Sequence, residues 1–114
     1  MSELTLLIQR AAQGDREAFN VAFAAIRDEL RGVAIRRLRA DSRATLSPTM
    51  LVNETWLKLA DAGVHADNRA HFFRIAAQAM RQIWIDKQRS RAAELERIRL
   101  YVEGAGSDAI ESSD

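Results

Sequence analysis

One proline, Pro48, and five glycines interrupt a chain of 114 residues, and this scarcity of breaks constrains the fold more than any other feature. Between Gly63 and Gly104 there is neither glycine nor proline. No stretch alternates apolar and polar residues over the length that would indicate a β-strand. Apolar residues instead recur at the spacing of one helix face. The longest such series is Phe19, Phe23, Ile26, Leu30, Val33 and Leu38. The sequence therefore predicts an all-α fold.

Residues that favour helix ends divide the chain into four helices. Gly14 suits the left-handed position that ends one helix, and Asp15 can accept hydrogen bonds from the first N–H groups of the next. Ser47 followed by Pro48 favours a helix start, because the missing N–H of proline costs nothing there. Asn68 is a good N-cap for the last helix. The predicted helices cover about 3–12, 16–40, 48–61 and 69–102.

The length fits a single domain, which we predict to be a compact four-helix domain over 1–102 with a long C-terminal helix. The remaining residues, 103–114, are small, polar and acidic, and we expect them to form a disordered tail. The tail holds four acids and no base, so the body carries 17 Lys and Arg against 12 Asp and Glu. Folding of the acidic tail onto the basic helix is a hypothesis from charge complementarity alone.

Several classes of function find no support in the composition. The chain has no cysteine, which excludes disulfides and thiolate metal sites. His65 and His71 lie six residues apart, which is not a helical metal-ligand spacing, so we predict no metal and no cofactor. No glycine-rich phosphate loop and no nucleophile paired with a base is present, and we do not expect an enzyme. The start lacks a basic signal-peptide region, and no apolar run approaches the roughly 20 residues of a membrane span, so a cytoplasmic protein is predicted.

The segment 69–99 holds eight bases against three acids, a local basic stripe that favours a polyanionic partner. The alternative is an arginine-rich helix face that is merely solvated. Arginine pairs with phosphate or guanine and glutamine with adenine, so the polar side of the fourth helix is usable for nucleic acid. That side holds Arg74, Gln78, Arg81, Gln82 and Arg89. Unpaired bases could contact the nearby side chains of His71, Phe72 and Phe73, although the two phenylalanines are more simply core residues.

The third helix has more apolar residues than one inward face can hold. Helical spacing predicts an inward set of Leu51, Val52, Thr55 and Leu59. The remaining candidates for an outward face are Asn53, Glu54, Trp56 and Leu57. An exposed tryptophan or leucine beside a carboxylate is a plausible site for a partner helix, with the aromatic ring as its anchor. The alternative is that Trp56 simply packs on a neighbouring helix.

Three segments in order resemble the second conserved region of bacterial RNA polymerase sigma factors of the extracytoplasmic-function (ECF) group. Leu6-Leu7 through Gly14-Asp15-Arg16-Glu17-Ala18-Phe19 is similar to the opening helix and turn of that family. The segment 46–59, LSPTMLVNETWLKL, is similar to its Leu-Val-Gln-Glu-Thr-Phe-Leu helix. The segment 68–89, with its aromatic start and Arg-Ile-Ala core, is similar to the last helix of the region. The residues of the second and third segments are most similar to one sigma-like subgroup. The resemblance as a whole covers about residues 4–95.

The resemblance implies a transcription initiation domain that binds core RNA polymerase and recognises and melts the promoter −10 element. In the family, the Leu-Val-x-Glu helix docks on the β′ clamp helices. The residues at those positions here are Leu51, Val52, Asn53, Glu54 and Leu57, with Trp56 nearby. The following loop and helix hold bases of the non-template strand. The implied DNA-binding residues are His65, Asp67, Asn68, Arg74, Gln78, Arg81, Gln82 and Arg89. The chain departs from the family at Trp84, usually aliphatic, and at Lys87-Gln88, usually more basic.

The sequence ends before any helix-turn-helix that would bind the −35 element, which leaves two further hypotheses open. The domain could be a protein-interaction module, either a decoy or the target of an anti-sigma factor, without promoter activity of its own. A less favoured hypothesis is a self-assembling helical domain in which the outward face of the third helix is a dimer contact.

Overall fold

The structure, a computed structural model, describes residues 2–40 and 46–112, with side chains described up to Gly104. Its helices are α1 (Glu3–Ala12), α2 (Arg16–Arg39), α3 (Pro48–Ala62) and α4 (Arg69–Ser112). No strand occurs in the two described stretches, so the predicted all-α class is confirmed. The first three helices begin and end within one residue of the predicted positions. Most of the polar loop expected after α2, residues 41–45, lies outside the described part of the chain.

The predicted capping residues start three of the four helices. The Asp15 carboxylate accepts a hydrogen bond from the Ala18 N–H at 3.0 Å, and the Ser47 hydroxyl accepts one from the Met50 N–H at 3.1 Å. The Asn68 side-chain oxygen accepts from the backbone N–H of His71 at 2.9 Å. The Ala18 N–H and then the Arg10 guanidinium lower the pKa of the Asp15 carboxyl, which keeps it charged at the positive end of α2.

Residues up to Ile83 form one compact unit, whose core is built from the apolar faces of all four helices. From α2, Phe19, Phe23, Ile26 and Leu30 are buried, while Val33 and Leu38 at the end of the predicted stripe are half-buried. The largest fully buried side chain is Phe72 of α4, whose ring meets Phe19 edge-on at 6.2 Å between centroids. Burial of these faces holds α2, α3 and the beginning of α4 in fixed relative positions.

The residues from Trp84 onward form a second unit, which consists of the rest of α4. Its side chains from Ala92 to Gly104 are all exposed. The helix ends at Ser112 rather than near 102, so residues 103–112, predicted to lie in a disordered tail, have helical backbone. Glycine at 104 and 106 disfavours helix by about 1 kcal/mol each but does not forbid it, and no proline follows. Residues 113 and 114 lie outside the described part of the chain.

Candidate functional site

The two faces of α3 have different roles. Its buried residues are those that helical spacing predicted: Leu51, Val52, Thr55 and Leu59. The Thr55 hydroxyl donates to the Leu51 carbonyl at 2.8 Å, so this buried polar group is satisfied within the helix. Leu51 and Val52 are 0% and 2% exposed. Both side chains therefore pack in the core and orient α3, and their assignment to polymerase contact stays a prediction.

The outward face of α3 holds the other four residues assigned to polymerase. Asn53 and Leu57 are exposed, Leu57 by 56%, while Glu54 and Trp56 are half-buried. The indole N–H of Trp56 donates to the side-chain oxygen of Asn20 on α2 at 2.9 Å. Trp56 therefore packs on a neighbouring helix, as the simpler interpretation held, yet keeps part of its ring at the surface. A side chain fixed in this way loses little conformational freedom when a partner covers it.

A groove of about 300 Å³ lies between α2 and α3 next to this tryptophan. Its lining consists of Asn20, Phe23, Ala24, Arg27, Asn53 and Trp56. Phe23 is buried and provides an apolar floor, while the two asparagines and Arg27 are exposed at its rim. An apolar floor with a polar rim can accept a side chain from a partner and leave the surrounding polar groups solvated. Asn20 was not among the predicted site residues, because its partner lies 36 positions away in the sequence.

The loop between α3 and α4 presents alternate residues to the core and to the surface. Gly63 ends α3 with a φ of 77°, a left-handed conformation that favours glycine. Val64 and Ala66 are buried, whereas His65 and Asp67 are exposed. The two buried side chains anchor the loop, so that the intervening His65 and Asp67, both predicted to bind DNA, point away from the core.

Hydrogen bonds from the first turn of α4 hold the end of this loop. The imidazole Nδ1 of His71 accepts from the backbone N–H of Asp67 at 3.1 Å, and the Asp67 carboxylate lies 3.7 Å from the same nitrogen. Asn68, assigned to DNA, uses its side-chain oxygen to cap α4, so its amide nitrogen is the group that can donate to a ligand. His71 was not among the predicted DNA-binding residues.

In the first unit, the beginning of α4 has a buried side and an exposed polar side. Phe72, Ala76, Met80 and Ile83 are buried, which identifies Phe72 as a core residue, while Phe73 is half-buried. The four predicted DNA-binding residues of this stretch are all exposed: Arg74, Gln78, Arg81 and Gln82. Positions 74, 78 and 81 are separated by four and three residues, so they share one helix face. Arg89, the last predicted DNA-binding residue, is exposed in the second unit.

These features describe an all-α domain with two candidate contact surfaces, one on α2 and α3 and one on the loop and the start of α4. Over residues 1–97 the chain matches the ECF sigma factor family. The match covers most of the 114 residues, and the chain belongs to this family of transcription initiation factors. No curated protein and no solved structure matches the chain. Within the described residues, no helix combines the length and apolarity needed to cross a membrane.

Proposed function

We propose that the domain binds the β′ clamp helices of core RNA polymerase through the outward face of α3 and the adjoining groove. We further propose that it holds non-template bases of the promoter −10 element at the loop 64–68 and the exposed face of α4. Membership in the ECF sigma factor family supports both partners in general terms. The observation that carries the residue assignment is the division of α3 into a fully buried face and an exposed one. In this proposal the domain acts in the cytoplasm by binding, not by catalysis.

The polymerase surface combines an anchor with a polar surround. Trp56 is fixed by Asn20, and Leu57 offers exposed apolar area beside it. Glu54 and Asn53 supply a carboxylate and an amide next to these apolar groups. Binding energy at protein interfaces concentrates in aromatic residues of this kind, whereas surrounding polar residues give specificity. A helical partner can lie across α2 and α3 and place one side chain in the groove between them.

The DNA surface has groups for both backbone and bases. Arg74 and Arg81 are exposed guanidinium groups that can bind successive phosphates of one strand. His65 and Asp67 project from the anchored loop, where unpaired bases could stack or form hydrogen bonds. Taking a base out of the duplex costs a few kcal/mol, so a preformed loop with little remaining freedom is an advantage. Each contact stabilises the open strand, and no bond is made or broken.

Reversal of the charge at Glu54 tests the polymerase surface. We expect Glu54→Lys to weaken binding of the purified chain to core RNA polymerase by about tenfold or more. The positive charge of lysine would then face polymerase groups that are complementary to a carboxylate. Binding is measured by fluorescence anisotropy of the labelled chain titrated with polymerase. Glu3→Lys makes the same charge change on α1 and should bind as the unaltered chain does. Failure of the unaltered chain to bind at all would contradict the proposal.

Removal of one arginine tests the DNA surface. We expect Arg81→Ala to weaken binding of the non-template −10 strand to the polymerase complex, and to reduce the slope of log affinity against log salt by about one. Arg97→Ala removes an exposed arginine outside the predicted surface and should leave the slope unchanged. Polymerase binding without any affinity for this strand would instead favour the protein-interaction module.

A further inference from the structure

The second unit carries an exposed apolar stripe that belongs to neither the proposed polymerase surface nor the proposed DNA surface. Leu95, Ile98 and Val102 are 56%, 50% and 61% exposed. They are separated by three and then four residues, the heptad spacing that keeps side chains on one seam of a helix. Single exposed apolar side chains are common, but helices of globular proteins obtain most of their stability by packing an apolar face. The stripe has the pattern of a helix that packs against another helix.

Charged residues border the stripe on both sides and are held in place by pairs within the helix. Glu94 accepts a hydrogen bond from Arg97. On the other side, Arg99 donates to Glu96 at 3.1 Å and to Glu103 at 3.0 Å. With Leu95 and Val102 at heptad position a and Ile98 at d, Glu94 occupies g and Arg99 occupies e. These are the two positions whose charges decide the partner and the direction of helices in a coiled coil.

We propose that the stripe of Leu95, Ile98 and Val102 pairs with the same stripe of further copies of this chain, as parallel helices. In a parallel coiled coil, a g residue lies next to the e residue five positions later on the neighbouring helix. Glu94 of one copy would then face Arg99 of the other, with opposite charges, and symmetry repeats the pair. The stripe is complementary to itself, which favours another copy over an unrelated helix. This self-association does not depend on polymerase or DNA binding.

The antiparallel alternative is less favourable for the same residues. In the antiparallel pairing, Leu95 of one copy would lie opposite Ile98 of the other, because the two helices run in opposite directions. Glu94 would then lie beside Tyr101 and Arg99 beside Ala92, so no pair of opposite charges would form. The charges that border the stripe therefore favour the parallel direction over this antiparallel pairing.

Sedimentation velocity over a range of protein concentrations tests the stripe. The full chain should shift from one copy to a mass of two or more as its concentration rises. Ile98→Lys should weaken this association by about tenfold or more, because it places a charge in the apolar seam. Leu100→Lys is the matched control: Leu100 is 54% exposed but lies outside the seam, and its replacement should have no effect. A monomer at every concentration, or equal effects of the two variants, would overturn the proposal.

Mixing two charge variants tests the parallel direction. Glu94→Arg and Arg99→Glu should each weaken self-association, because like charges then meet between copies. An equimolar mixture should associate more tightly than either variant alone, since arginine at 94 of one chain now faces glutamate at 99 of the other. Charge pairs within each helix are the same before and after mixing, so they cannot explain the gain. A mixture no better than its components would overturn the parallel pairing, whatever the effect of Ile98→Lys.

Discussion

Replacing Phe72 with alanine is expected to lower the free energy of unfolding by about 3–5 kcal/mol. The ring is 1% exposed and lies edge-on to Phe19, with 6.2 Å between the centroids and an angle of 71° between the planes. With alanine, the protein would lose the free energy gained by transferring the ring out of water and the free energy of this aromatic contact. The substitution would also leave a cavity. Small domains are stable by about 5–15 kcal/mol in total, so this one change would remove a large share.

Urea unfolding followed by circular dichroism measures the effect as a lower midpoint with little change in slope. Phe73→Ala is the matched control, because Phe73 is the same residue type at the next position of α4 but only half-buried. It should cost less than half as much. Equal losses from the two variants would mean that Phe72 does not have the central place in the core that its burial indicates. An intact fold with lost DNA binding would assign Phe72 to the base-binding surface instead.

Helix starts could be predicted from the sequence because the interactions that form them are local. Ser47 caps α3 through Met50, and Asn68 caps α4 through His71, in each case three residues along the chain. Such contacts depend on residue type and spacing alone. The end of α4 at Ser112 could not be predicted in the same way. The glycines at 104 and 106 change the helix free energy by an amount that neighbouring residues can offset.

Helical spacing predicted which residues of α3 are buried, but it could not predict the contacts between helices that shape the rest of the candidate site. Spacing placed Leu51 and Val52 on the inward side of α3, whereas the resemblance to the sigma family assigned the same two residues to polymerase contact. Their burial agrees with the spacing. The contact between Asn20 and Trp56 joins two helices, and no local pattern specifies which residues of α2 lie beside which residues of α3. The groove next to this contact follows from tertiary packing, so a single sequence could not reveal it.

Replacing Trp56 with alanine is expected to weaken binding of the chain to core RNA polymerase by about 2 kcal/mol or more, roughly 30-fold. The half-buried indole is fixed by Asn20 at 2.9 Å and forms one wall of the groove between α2 and α3. Alanine would remove the anchor surface and also open the groove, so a partner side chain would lose contacts on that side. Affinity is measured by the same anisotropy titration, at a temperature where urea unfolding shows that the variant is folded.

Two further variants separate the contribution of the Trp56 ring from that of its hydrogen bond to Asn20. Trp84→Ala removes the other half-buried tryptophan, which lies in the second unit, and should leave polymerase affinity unchanged. Asn20→Leu keeps a side chain of similar size but cannot accept the indole N–H, so the ring is held less firmly, and affinity should fall by an intermediate factor. Full affinity in Trp56→Ala together with a loss in Glu54→Lys would restrict the docking surface to the polar residues of α3. Full affinity in both would exclude this face of α3 as the polymerase contact, because neither its apolar anchor nor its charge would then contribute.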